Sequence, residues 1–141
     1  MTKPGSGSLN PDPAIGPWTV EFHDDFDPEF DAMAEDVQDG LLAAAKAIQM
    51  LGPHAGRPYV DTLKGSRHAN MKELRFEGHD GNEEWRAAFA FDPDRRGIIL
   101  VAGDKQGRNS ARFYRKLIAK ADERFESHLG RIAKARRDRQ E

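Results

Sequence analysis

The stretch between residues 71 and 105 most constrains what this chain can become. Three apolar segments, MKELRFE, EEWRAAFAFD and GIILVAGDK, are separated only by the turn-rich GHDGN and PDRRG. Strands joined so closely cannot be parallel, because a parallel crossover needs a dozen or more residues. The spacing therefore predicts an antiparallel meander. VDTL, just upstream, is short and apolar enough to add a further strand, and WTVEF alternates Trp18, Val20 and Phe22 against polar neighbours as a first strand with one buried face.

Helical patterning brackets these strands. Asp27-Pro28 marks a helix start, with Asp27 as cap and Pro28 at the first helical position, followed by Phe30, Met33, Ala34 and Val37 at helical spacing. QDGLLAAAKAIQML puts Leu41, Leu42, Ala45, Ile48 and Leu51 on one stripe, and Gly52-Pro53 stops it. A last helix starts near Asn109-Ser110, carries Phe113, Leu117, Ala121 and Phe125, and is predicted to end about Leu129. The expectation is an α+β fold: a two-layer sandwich with an antiparallel sheet, two N-terminal helices and one C-terminal helix, its second sheet face open. Residues 1–17, rich in Pro, Gly and Ser, read as a flexible leader, 18–129 as the domain and 130–141 as a charged tail.

With 141 residues and no cysteine, the chain has the size of one domain and no thiolate chemistry. It has no apolar run near the roughly 20 residues of a membrane span and no apolar signal segment, so a cytoplasmic location without membrane contact is expected. The balance of charge is uneven. Residues 1–60 hold ten acidic and three basic side chains, whereas residues 61–141 hold fourteen acidic and nineteen basic ones. Within the basic part, LKGSRHANMKELRF (63–76) sets Lys64, Arg67, His68, Lys72 and Arg75 around a single acid, Glu73.

Strand alternation sorts these residues. Leu74 and Phe76 belong with Trp85, Ala87, Phe89 and Phe91 on the core side, which turns Glu73, Arg75, Arg86, Ala88 and Ala90 the other way. Two arginines on adjacent strands over a floor of alanines form a shallow cationic trough. Lys105 stands at its rim, and Lys64, Arg67 and His68 lie in the loop entering the sheet. Arginine forks and lysine point charges suit phosphodiesters. RNA brings its own 2′-hydroxyl nucleophile, so a cleaving protein has only to orient it, move protons and stabilise charge on phosphorus oxygens. No metal or other cofactor is called for. The plainer account is an exposed cross-strand pairing of Arg75 and Arg86 with Glu73 and Glu84. Tyr114, early in the last helix, is placed either to stack on a base or to pack against the sheet.

LKGSRHANMKELRF, WRAAFAFDPDRRGIILVAGDKQG and FYRKLIAKADERFESHL, in that order, resemble the HigB branch of the RelE/ParE toxin superfamily, above all its phage-derived members. The resemblance covers roughly Trp18 to Leu129. It implies a RelE-like toxin of a type II toxin–antitoxin system: a metal-independent endoribonuclease that cleaves mRNA on the ribosome and inhibits translation. The family's basic positions map onto Lys64, Arg67, Arg75, Arg86 and Lys105, with His68 as the acid/base residue. With the residue reading above, the expected catalytic residues are Arg75, Arg86, His68 and Lys64, and Arg67, Lys72, Lys105 and Tyr114 are expected to bind RNA or phosphate. The implied partner is a helix-turn-helix antitoxin of the HigA type. The alternative within the superfamily is a non-catalytic ParE-type toxin that binds DNA gyrase.

Overall fold

A computed structural model describes residues 18–107 and 109–140; the expected leader lies outside them. The elements run β1 (Thr19–Phe22), α1 (Phe26–Asp31), α2 (Glu35–Leu51), β2 (Val60–Thr62), β3 (Lys72–Gly78), β4 (Glu83–Phe91), β5 (Arg96–Asp104) and α3 (Ser110–Gln140). The fold is α+β, with the sheet in the order β1-β5-β4-β3-β2. From β2 through β5 the strands form the antiparallel meander that the short turns require. β1 joins β5 in parallel, so the sheet is mixed. The two helices between β1 and β2 make this possible, because they carry the chain across the sheet.

The helices cover both faces of the sheet. On one, α1 and α2 bury Phe26, Phe30, Val37, Leu41 and Ile48 against Val20, Phe22, Leu74, Phe76, Ala87, Phe89 and Ile99. Each large side chain taken out of water here contributes about 1.5–3 kcal/mol. On the other, α3 packs Leu117, Ala121 and Phe125 onto Met71, Ala88, Ala90, Ile98 and Leu100. The open trough expected on that face is therefore roofed: Ala88 and Ala90 are fully buried. Small side chains on a strand let a helix backbone approach closely, and α3 uses that space.

Two helix boundaries also differ from expectation. α1 starts at Phe26 and stops at Asp31, and Val37 belongs to α2. Gly52 ends α2 as the sequence implied, at φ 55°. α3 continues to Gln140, through the segment expected to be a tail. Its distal turns are held by side chains, since Arg131 pairs with Asp24 and Arg136 reaches Asp94 Oδ1 at 2.6 Å.

Candidate functional site

Arg75 and Arg86 are register partners on β3 and β4. Residues directly opposite in an antiparallel pair share a face, so both guanidiniums leave the sheet on the α3 side, next to each other. Glu73, two residues before Arg75 on the same face, lies between them. Arg75 Nη2 donates to Glu73 Oε2 at 3.2 Å, and Arg86 Nε lies 3.5 Å from Oε1. The Tyr114 hydroxyl donates to the same Oε1 at 2.7 Å. Arg75 Nη2 also reaches Asp61 Oδ2 at 3.3 Å, and that carboxylate takes a further bond from Arg57 Nε at 3.1 Å.

Three guanidiniums thus share two carboxylates. The centre of this cluster is dry: the Glu73 side chain is 8% exposed and Arg86 12%, while Arg75 opens to solvent at 36%. The Nε–H groups of Arg75 and Arg86 are buried without a hydrogen-bond acceptor among the described residues. Burial, and then the bond to Glu73, raise the Tyr114 hydroxyl above its ordinary pKa, with Arg86 pulling the other way. Tyr114 is therefore a neutral donor at physiological pH. A groove of about 780 Å³ lies beside β3, where Arg75 and Arg86 and the carboxylates Glu77 and Glu84 meet Gly40, Ala43 and Ala47 of α2, from the other face, and Tyr59. Tyr59 is 54% exposed.

The other sequence-predicted residues are scattered. Lys105 donates its backbone N–H to Glu84 O at 2.7 Å, two residues beyond Gly103, the register partner of Arg86, and so stands at the same end of the sheet. Lys64 is exposed, and the neighbouring Gly65 lies against Ile118, one helical turn past Tyr114. Arg67 and His68 are further away. Arg67 forms a two-pronged pair with Glu126 at 3.0 and 2.8 Å, and His68 Nε2 lies 3.5 Å from the same carboxylate with its ring edge-on to Phe125. At 1.5 Å rise per residue, Glu126 is about 18 Å along α3 from Tyr114. The structure thus separates His68 and Arg67 from the two arginines. Lys72 is separated as well. It is the register partner of Phe89, which faces α2, so it projects from the opposite face to Arg75.

Sequence reasoning left out Glu73, Asp61 and Tyr59 as members of the site. Glu73 was visible as the one acid in the basic stretch, on the same face as Arg75 by alternation. Asp61 and Tyr59 come from the chain around β2, whose register no local pattern specifies.

A family model described as "Phage derived protein Gp49-like" matches residues 28–126, a range that contains Glu73, Arg75, Arg86 and Tyr114. Two proteins of Mycobacterium tuberculosis that carry the toxin names HigB2 and HigB3 are similar to this chain. The first is 48% identical over 92 residues, 65% of this chain, and the match spans only 45% of that relative's length. The second is 42% identical over 100 residues, 71% of this chain and 83% of the relative. No solved structure matches significantly.

Proposed function

Because this chain belongs to the family of phage-derived Gp49-like proteins, we propose that it is the toxin of a type II toxin–antitoxin pair and acts as an endoribonuclease on mRNA held by the ribosome. The toxin names of both relatives support the first part. The observation that carries the second is the side-by-side pair of Arg75 and Arg86, with unsatisfied Nε–H donors, around a buried carboxylate and a neutral phenol.

In this reading the scissile phosphate enters from the groove and lies against the two guanidiniums, which neutralise the charge that develops on its oxygens. The 2′-hydroxyl of the RNA attacks phosphorus, its proton goes to Glu73, the carboxylate nearest both arginines, and the P–O5′ bond breaks, the departing 5′-oxygen taking a proton from water. Tyr114 and Arg75 fix the orientation of that carboxylate. The product is a 2′,3′-cyclic phosphate. Lys105 and Lys64 bind flanking phosphates, while Arg67 and His68 are structural, tied to α3. A helix-turn-helix antitoxin neutralises the activity.

Hydrogen bonds to charged groups are each worth about 1.5–3 kcal/mol, so replacing both Arg75 and Arg86 by Ala slows cleavage by roughly 10²–10⁴-fold. Primer extension on transcripts after brief induction measures this, with R75K/R86K as the charge-retaining control for folding. If the double alanine variant still arrests growth while DNA breaks accumulate, the ribonuclease reading fails and the gyrase-binding reading replaces it.

A further inference from the structure

A second groove lies away from the arginine pair. β1 pairs with β5 only from Arg96 to Ile99, and among the described residues no strand covers the outer edge of β5 beyond that point. Lys105 donates to Glu84 O, and the alternation of a strand's hydrogen-bonding groups then turns Gly103 and Val101 towards β4. Ala102 and Asp104 are left with their N–H and C=O groups facing the open side. At Leu100 the edge is blunted by a bulge and by Arg124, which takes the Leu100 carbonyl and holds Glu29 of α1, so the part left as a template for another strand is Ala102 and Asp104.

Beside that edge stands the first half of α3. A cavity of about 570 Å³ separates the two, floored by Val101, Phe113 and Leu117 and walled by Arg112, Lys116 and Lys120. Phe113 closes on the strand so tightly that a Cβ at Gly103 would come within 3.0 Å of its ring. The three cations are exposed. Arg124 lowers the pKa of Glu29 in α1 and Lys120 lies near enough to help, whereas Arg112 and Lys116 pair with no acid among the described residues. They repeat every four residues, about 6 Å along the helix. Side chains on one face of a strand repeat at about 6.6–6.8 Å. A strand laid on β5 could therefore match a carboxylate to each helical cation in turn.

We propose that the β5 edge and the Arg112–Lys116–Lys120 ridge form a docking site for an extended acidic segment of a partner protein, which adds to the sheet as a sixth strand. The backbone edge supplies affinity and the cations select sequence and register, the usual division of labour in strand addition. The chain's own acidic stretch is folded into α1 and α2, so the segment comes from another molecule. RNA is the other polyanion that could meet this ridge, but it would leave the strand edge unpaired and the apolar floor unused. The proposal does not depend on the nuclease reading, because none of these residues belongs to the arginine cluster.

The test uses a fluorescein-labelled peptide of alternating glutamate and valine, followed by anisotropy with the full chain. Saturable binding is expected, weakened at least tenfold by K116E/K120E and at least tenfold when alternate peptide nitrogens are methylated. Hydrogen exchange of the Ala102 and Asp104 amides should slow when the peptide binds. Equal binding of the methylated peptide, or no binding of the unmodified one, overturns the proposal. So does a result in which an oligoribonucleotide, and not the peptide, loses affinity in K116E/K120E. RNA cleavage dependent on Arg75 and Arg86 should be unmoved by that variant, which keeps the two proposals separable.

Discussion

The two halves of α3 use charge in opposite ways. From Arg112 to Lys120 the basic side chains stand in solvent without hydrogen-bonded acidic partners among the described residues, and the helix is held by Phe113, Leu117 and the contacts of Tyr114 with Glu73 and Arg86. From Asp122 onwards nearly every inward charge is tied down. Asp122 takes the Ser66 hydroxyl and the Arg67 N–H; Arg124 bridges Glu29 and Leu100 O; His128 Nε2 meets Asp92 Oδ2 at 2.8 Å; Arg131 pairs with Asp24. Charges of the second half are part of the packing, and those of the first are available to something else. One helix thus combines an anchor with an interaction surface.

Asp92 tests the anchored half most severely. Its side chain is wholly buried and receives His128, Arg96 Nη2 and the backbone N–H groups of Asp94 and Arg96. Burial pushes its carboxyl up, but the bonds from His128 and the Arg96 N–H outweigh this and hold its pKa below the usual range. Asp92→Ala strips a buried charge network of its centre, and such losses cost about 3–5 kcal/mol; urea unfolding at neutral pH measures it. A loss under about 1 kcal/mol would mean that this half is held by its apolar contacts alone. Arg124→Met keeps the aliphatic stem but leaves Leu100 O without its donor. The expected cost is smaller, about 1.5–3 kcal/mol.

A weaker effect depends on pH. Burial, and then the neighbouring Arg131, lower the pKa of His23. The folded chain thus keeps this imidazole neutral where the unfolded chain, with a value near 6.5, takes up a proton. The stability involved is present above that value and is lost as pH falls through it towards the folded one. His23→Gln should flatten the fall in stability between about pH 7 and 5, seen in urea midpoints measured across that window. An unchanged slope would show that the group protonates alike in both states.

Much of the face on which these effects lie was legible in the sequence. Period-two alternation is local, so it placed Arg75 and Arg86 together and opposite Phe76 and Phe89. The stop at Gly52-Pro53 and the start of α3 near Asn109 are equally local. What could not be read was which elements meet at a distance. β1 pairs beside β5 through a crossover that no short pattern encodes. Ala88 and Ala90 suit either an open floor or a closely packed helix, and only the need of Phe113, Leu117 and Phe125 for a surface points to the helix. His68 sits within eight residues of Arg75, yet the loop carries it along α3 to Glu126. Closeness in sequence was a poor guide to closeness at the site.

The smallest expected effect is the one that sharpens the comparison most. Lys116→Ala and Lys120→Ala remove exposed charges that make no hydrogen-bonded ion pair among the described residues; Lys120 acts on Glu29 only at a distance, and Arg124 still holds that carboxylate. Surface changes of this kind usually stay within about 0.5 kcal/mol, and alanine's higher helix propensity adds a few tenths in favour of folding. The double variant should therefore unfold at or slightly above the midpoint of the unaltered chain. A clear destabilisation would mean that these lysines, like Arg124 and Arg131, hold the helix in place. The difference between its halves would then be one of degree, and the ridge beside β5 would lose its claim to be spare.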